Sequence, residues 1–282
     1  MVQTSVPDGI PELHAIPAPM RETTPGIFLV ARPAVDLDGL RGYLESVGGV
    51  GWLERRLAGS DASSRSDAEM LVEFGGRMCY RSWEPGLNRN VTRIRERQDE
   101  YLANILGSLH GSVLEHASYS FALRNVSRVF THELVRHRAG SAFSQESLRY
   151  VRLTDIGFRV PPALEPIREQ VLNIVEQLEE FQVSAAESLG LDAEGLPFAV
   201  KKEITSALRR LAPLGLSTDI LWSANVRTLR HVIEMRTAPG AEEELRLVFD
   251  QIAKIMCREA PALFQDFQRS DDGSWVPEHH KV

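Results

Sequence analysis

The sequence predicts an α+β protein, largely helical, forming a single domain around a small antiparallel sheet. Long runs with apolar residues at helical spacing occupy 164–189, 199–212, 217–237 and 241–260. Only 26–33 and 117–125 read as strands. The order of these elements also lacks the regular βαβ alternation of a doubly wound parallel sheet.

Residues 1–26 are rich in proline and have no clear period, which predicts an N-terminal arm ahead of a domain over 27–270. GIFLVARP (26–33) is the first expected strand, and 36–57 a helix with a stripe through Leu40, Tyr43, Leu44 and Val47. LAGSDASSRSDAE (57–69) reads as a polar linker whose Ser66-Asp67-Ala68-Glu69 opens the next helix as a capping box. A helix is expected over 91–108, with Ile94, Tyr101, Leu102, Ile105 and Leu106 at helical spacing. The strand ASYSFALRN (117–125) feeds a helix over 126–138, which Ala139-Gly140 ends and a loop follows. The polar tail 271–282 is expected to fray.

At 282 residues with 43% hydrophobic content the chain can bury a substantial core. Its net charge of −7 argues against a partner such as nucleic acid or an anionic membrane. No apolar stretch reaches the length of a membrane span. The two cysteines, Cys79 and Cys257, have no metal-type spacing and suit a reducing interior, so the expected location is cytoplasmic. A basic cluster in such an acidic chain points to a local anion.

That cluster is RHRAGSAFSQESLRY (136–150). Neighbouring charges about 6 Å apart repel by roughly 3 kcal/mol per pair at an effective dielectric near 20. The cost is tolerable if the segment is a solvated helix end, or if a phosphate sits among Arg136, Arg138 and the serine hydroxyls. A helical wheel of NVRTLRHVIEMR (225–236) sets Asn225 and Arg236 in the middle of the side that carries Val226, Leu229, Val232 and Ile233. Arg227, Arg230, His231 and Glu234 fall on the opposite face. Asn225 as N-cap and Arg236 as a charge at the helix C-terminus would explain both residues without any ligand. HGSVLEHA (110–117) brackets Glu115 with His110 and His116, a spacing that matches no metal motif and favours a structural or hydrogen-bonding role. Neither a dinucleotide fingerprint, a P-loop nor a nucleophile elbow occurs.

Together these motifs resemble the flavin-dependent thymidylate synthases. That family carries a signature of the type R-H-R-x-x-S-x-N-E-x-S-x-R-Y, set here against RHRAGSAFSQESLRY. LHGSVLEHA upstream, RRLAPLG at 209–215 and SANVRTLRHVIEMR at 223–236 follow in the same order. The resemblance covers roughly 72–265. The signature here is one residue longer between Arg138 and Arg149, with Ser144-Gln145 where Asn-Glu is common.

The resemblance implies that Arg136, His137 and Arg138 line FAD, with His116, Ser118, Gln145, Asn225, Arg227 and His231. It implies that Glu133, Arg136, Ser144, Gln145, Glu146, Ser147, Arg149 and Arg209 face a nucleoside monophosphate. Arg236 would be the catalytic cation at the uracil ring. The implied reaction is C5 methylation of dUMP to dTMP with 5,10-methylenetetrahydrofolate and NADPH, in a homotetramer with shared active sites and no metal. UMP as substrate is the alternative that the longer loop motivates. A nucleic-acid-binding protein using the 136–150 patch is the alternative from a different class.

Overall fold

The computed structural model describes residues 22–58, 66–154 and 157–282. Most of the expected N-terminal arm and of the polar linker lies outside the described residues.

Strand β1 (Gly26–Ala31) leads to helix α1 (Leu37–Val47), whose first N–H groups are capped by the Asp36 carboxylate. The helix expected over 36–57 is in fact two. Gly48 takes φ 76°, a conformation open to glycine at little cost, and α2 (Val50–Ala58) begins just beyond it. Helix α3 (Asp67–Tyr80) starts at Ser66, which accepts from the Glu69 N–H as the motif predicts. Glu69 does not close the box; its buried carboxylate accepts from the Ala262 N–H at 2.6 Å.

Helix α4 (Gln98–Gly107) is shorter than the expected 91–108. The carbonyls of Arg95 and Glu96 are held by the guanidinium groups of Arg77 and Arg56, each at 2.6 Å, so this stretch cannot use them for helical bonds. A 3-10 turn (Gly111–His116) precedes β2 (Ser118–Ser127), and α5 (Arg128–Leu134) is capped by the Ser127 hydroxyl. The helix expected over 126–138 therefore loses both ends. Val126 pairs with Thr218 in the sheet, and Arg136–Arg138 lie in a turn beyond the helix.

The expected loop after Gly140 contains strand β3 (Ser141–Gln145). Helices α6 (Arg168–Ser188) and α7 (Phe198–Leu208) follow. The run 217–237, read as one helix, divides into strand β4 (Ser217–Asn225) and helix α8 (Val226–Thr237). Buried Thr218, Ile220, Trp222 and Ala224 alternate with exposed Asp219 and Leu221, a period of two that no helix presents. Helix α9 (Glu243–Glu259) and a small hairpin of β5 (Phe267–Arg269) and β6 (Trp275–Pro277) end the chain.

The main sheet has the order β1-β2-β4-β3 and is antiparallel throughout. Its inner side chains, among them Phe121 and Trp222, join Phe130, Leu229, Ile233, Val248, Phe249 and Ile252 in the main core. The Trp222 and Phe249 rings meet edge to face at 5.6 Å. Among the described residues no helix is long and apolar enough to cross a membrane.

The tail does not fray where it is described. Trp275 donates its indole N–H to Asp250 at 2.9 Å and its backbone N–H to Thr237, and Val282 is buried. This packing buries Arg230, although the helical wheel sets it on the face opposite the apolar side. Its guanidinium pairs twice with Asp266, at 2.7 and 2.8 Å, beneath the tail.

Candidate active site

The turn after α5, the start of α8 and the C-terminal residues enclose a cleft of about 1090 Å³. Arg136, His137, Arg138, Asn225, Arg227 and His231 all line it, six of the residues that the sequence motifs single out. They converge because the β4–α8 junction is stitched to the Arg136–Arg138 turn. The Asn225 side chain accepts from the Thr228 N–H at 2.9 Å, as an N-cap should. The Asn225 N–H donates to the Gly140 carbonyl at 3.0 Å, and the Thr228 hydroxyl donates to the Ala139 carbonyl at 2.7 Å.

Gly140 makes that approach possible. Its φ is 66°, and a Cβ there would overlap the Asn225 amide and the Thr228 hydroxyl. Gly140→Ala should therefore cost about 2 kcal/mol from backbone strain and displacement of the turn. Denaturant unfolding checks the stability loss, and flavin content after purification checks the turn.

His137 accepts a hydrogen bond at Nε2 from Arg236 Nε, 2.8 Å away. A guanidinium only donates, so Nε2 is unprotonated and the proton of the neutral ring sits on Nδ1. Partial burial, the Arg236 charge and His231 together lower the His137 pKa to about 4. Between its ordinary 6.5 and about 4, the unfolded chain binds a proton here that the folded chain does not. Stability should thus fall as pH drops through that window, and His137→Gln should flatten the fall. Unfolding midpoints measured against pH provide the check.

Arg236 is mostly buried and also pairs through Nη1 with the Glu133 carboxylate at 2.6 Å. It links His137, in the cleft, to Glu133, the first of the residues expected at the nucleotide. Ser144, Gln145, Glu146, Ser147 and Arg149 of that group run along β3 and the turn beyond it, and Arg209 opens a 3-10 turn after α7. Gln145 donates to the Thr131 hydroxyl at 3.1 Å, and the Glu146 carboxylate accepts from the Asp219 N–H at 3.2 Å. The Arg149 N–H donates to the Ser147 hydroxyl at 3.4 Å, while Ser144 and Arg209 are exposed. Apart from Arg136, which was expected at both ligands, none of this group lines the cleft of a single chain. His116 and Ser118 also stand outside the cleft lining. His116 lies beside Gly75, and Ser118 pairs with Asn225 across the sheet.

Sequence reasoning missed Glu115, Glu234, His279, His280 and Lys281 as cleft residues. Glu115 was visible between two histidines and proves to pair with Arg227 at 2.6 Å. The other signal was the EHHK run after a Trp-Val pair in the tail. Arg128 was missed along β3. It donates to the Glu146 carbonyl at 3.1 Å, while its buried Nε has no partner among the described residues. Burial, only partly opposed by Glu146 and reinforced by Arg209, holds its pKa below the ordinary arginine value.

The donor set of the cleft fits a flavin dinucleotide. Among the described residues, the Arg136 and Arg138 guanidinium groups have no hydrogen-bond or ion-pair partner, and adjacent unpaired forks suit a pyrophosphate. Neutral His137 lies edge to face with His231, their ring centres 6.1 Å apart. No three His, Cys, Asp or Glu side chains gather in a metal-binding arrangement among the described residues.

Such a cleft on an α+β frame defines the class, an enzyme that handles nucleotides with a phosphate-bearing cofactor. The comparisons make it specific. The family model described as thymidylate synthase complementing protein matches residues 62–262. The flavin-dependent thymidylate synthase of Mycobacterium marinum is 36% identical over 230 residues, covering 78% of this chain and 90% of that enzyme. That of Mycobacterium tuberculosis is 36% identical over 220 residues, covering 75% and 86%. The chain belongs to the flavin-dependent thymidylate synthase family. A similar fold is seen in thymidylate synthase X from Helicobacter pylori, solved with FAD and dUMP, at a TM-score of 0.52 and 22% identity over 70% of this chain and 93% of that one.

Proposed function

We propose that this enzyme, a flavin-dependent methyltransferase by family, methylates carbon 5 of dUMP to give dTMP in the cytoplasm. In this reading 5,10-methylenetetrahydrofolate donates the one-carbon unit and NADPH the reducing equivalents. The observation that carries the proposal is the convergence of Arg136, His137, Arg138, Asn225, Arg227 and His231 on one cleft in a chain of this family.

The flavin, when bound and reduced by NADPH, would supply the hydride that turns the transferred methylene into a methyl group. The chain supplies orientation and charge. Arg136 and Arg138 offer free guanidinium forks to phosphates, and Asn225 and Thr228 hold the turn that presents them. Arg236 would sit at the uracil ring, where a fixed cation near N3 and its flanking carbonyls stabilises the enolate-like anion that makes C5 nucleophilic. Glu133 and neutral His137 keep that guanidinium in place. Arg149 and Arg209 would hold the nucleotide phosphate. This route needs no cysteine nucleophile.

The homotetramer with shared sites draws support from the separation of the two residue groups, since most of the nucleotide set lies away from the cleft of its own chain. Exposed Ile174, Phe198 and Leu214 offer apolar surface for such contacts. With Ser144-Gln145 set against Asn-Glu, the extra signature residue falls at Ala142-Phe143, inside β3, whose register with β4 is continuous from Ser141 to Gln145. Exposed Ser144 forms no side-chain bond among the described residues, so its hydroxyl is free to meet a 2′-hydroxyl in the alternative reading, UMP as substrate. Incubating the protein with NADPH, methylenetetrahydrofolate and either dUMP or UMP tests both readings. Product from dUMP supports the first, and product from UMP as well supports the second. No product from either nucleotide overturns both.

A further inference from the structure

We propose that residues 277–282 form a wall of the cleft whose Lys281 ammonium binds a phosphate of the dinucleotide held there, a role that rests on the flavin reading above. The segment lies beyond residues 62–262, which match the family model. It reaches the cleft through Pro277, His279, His280, Lys281 and Val282.

The wall is anchored at several points. At its base the Asp266 carboxylate pairs with buried Arg230 and also accepts from the His279 N–H at 3.2 Å. The Asp266 carbonyl accepts from the Glu278 N–H at 3.0 Å. Nearer the end, His280 Nδ1 meets Glu234 of α8 at 2.7 Å. Val282 sits where Gly111 leaves room, because a Cβ on Gly111 would overlap the Val282 carboxyl carbon. This is a built seat.

The charges around the cleft then decide what it holds. Of the lining side-chain carboxylates, Glu115 is paired with the Arg227 guanidinium and Glu234 is bonded to the His280 ring. Arg136, Arg138 and Lys281 have no partner among the described residues. Three cations without a partner thus outnumber Glu234 and the Val282 carboxylate, and the net charge of this cleft is positive, in a chain whose net charge is −7. Phosphate oxygens of a dinucleotide offset such charges, and both FAD and NADPH carry them.

The test uses the full-length holoenzyme. Flavin release on dilution gives the FAD dissociation constant, and stopped-flow reduction gives the apparent constant for NADPH. Lys281→Ala should weaken the contacted dinucleotide about fivefold at low salt, less at high salt, and Lys281→Arg should restore it. Removing residues 278–282 should weaken it by about tenfold or more, because the wall is lost with the charge. A change in the FAD constant assigns the contact to the flavin, and a change in the NADPH constant alone assigns it to the nicotinamide dinucleotide. If the wild type binds FAD and neither variant alters either constant, the wall proposal is overturned alone. A wild type that binds neither dinucleotide overturns the flavin reading and the wall with it.

Discussion

Arg236→Ala should lower kcat/KM for C5 methylation by about a thousandfold, roughly 4 kcal/mol of lost transition-state stabilisation. The size follows from the environment of the side chain. It is 16% exposed, and its charge is fixed by Glu133 at 2.6 Å and by His137 at 2.8 Å. A preorganised cation in a partly dry site acts on a developing anion without reorganising. Lysine carries the charge but cannot bond His137 and Glu133 from two edges of one plane, so Arg236→Lys should recover only part of the loss. Reduction of the flavin by NADPH should survive in both variants, because it does not need a uracil anion. The alanine change also removes one of the charges that depress His137, so the pKa of that histidine should rise from about 4. Steady-state methylation and anaerobic flavin reduction, measured on the same preparations, check this. Methylation within tenfold of wild type would remove Arg236 from the chemistry.

Glu73→Ala should destabilise the fold by about 3–5 kcal/mol. Glu73 is fully buried and serves several donors from different parts of the chain. Its oxygens accept from Arg56 at 2.7 and 2.8 Å, Arg77 at 2.7 Å, the Trp52 indole at 2.9 Å and Gln98 at 3.1 Å. Burial opposes its ionisation, but Arg56 and Arg77 together hold its carboxyl below the ordinary range. Alanine would leave the Arg77 guanidinium, 1% exposed, with carbonyl partners only. An uncompensated buried charge costs far more than the lost contact. Glu73→Gln keeps the shape and one acceptor, so its loss should be smaller. Urea unfolding measures both changes, and a loss below about 1 kcal/mol for alanine would contradict the account.

The sequence disclosed local features better than distant partnerships. Ser66 as a cap, β1, β2 and the long helices depend on residues within a turn or two of each other, and they were legible. The RHR cluster and the 225–236 helix were visible as misfits, and both lie in one site. Strands β3 and β4 were not legible. SAFSQ is polar and short, and the backbone partners of β3 lie on β4, as in the pairing of Ser141 with Ala224. Nothing local announces such a pairing. The helix expected from 91 failed because Arg56 and buried Arg77 claim the Glu96 and Arg95 carbonyls, which no periodicity can show. The wheel set Arg230 on the face opposite the apolar side, and its burial was not legible because its partner, Asp266, lies in another element of the chain. The tail looked frayed because its anchors are charges and backbone groups, not an apolar stripe.

The central claim is that the cleft holds a flavin whose electrons complete methylation of dUMP. A single turnover tests it most directly. The holoenzyme is reduced anaerobically with dithionite and mixed with dUMP and methylenetetrahydrofolate, without NADPH. The account predicts flavin reoxidation and dTMP formation in equal amounts. Reoxidation without dTMP, or dTMP from protein that carries no flavin, would contradict it.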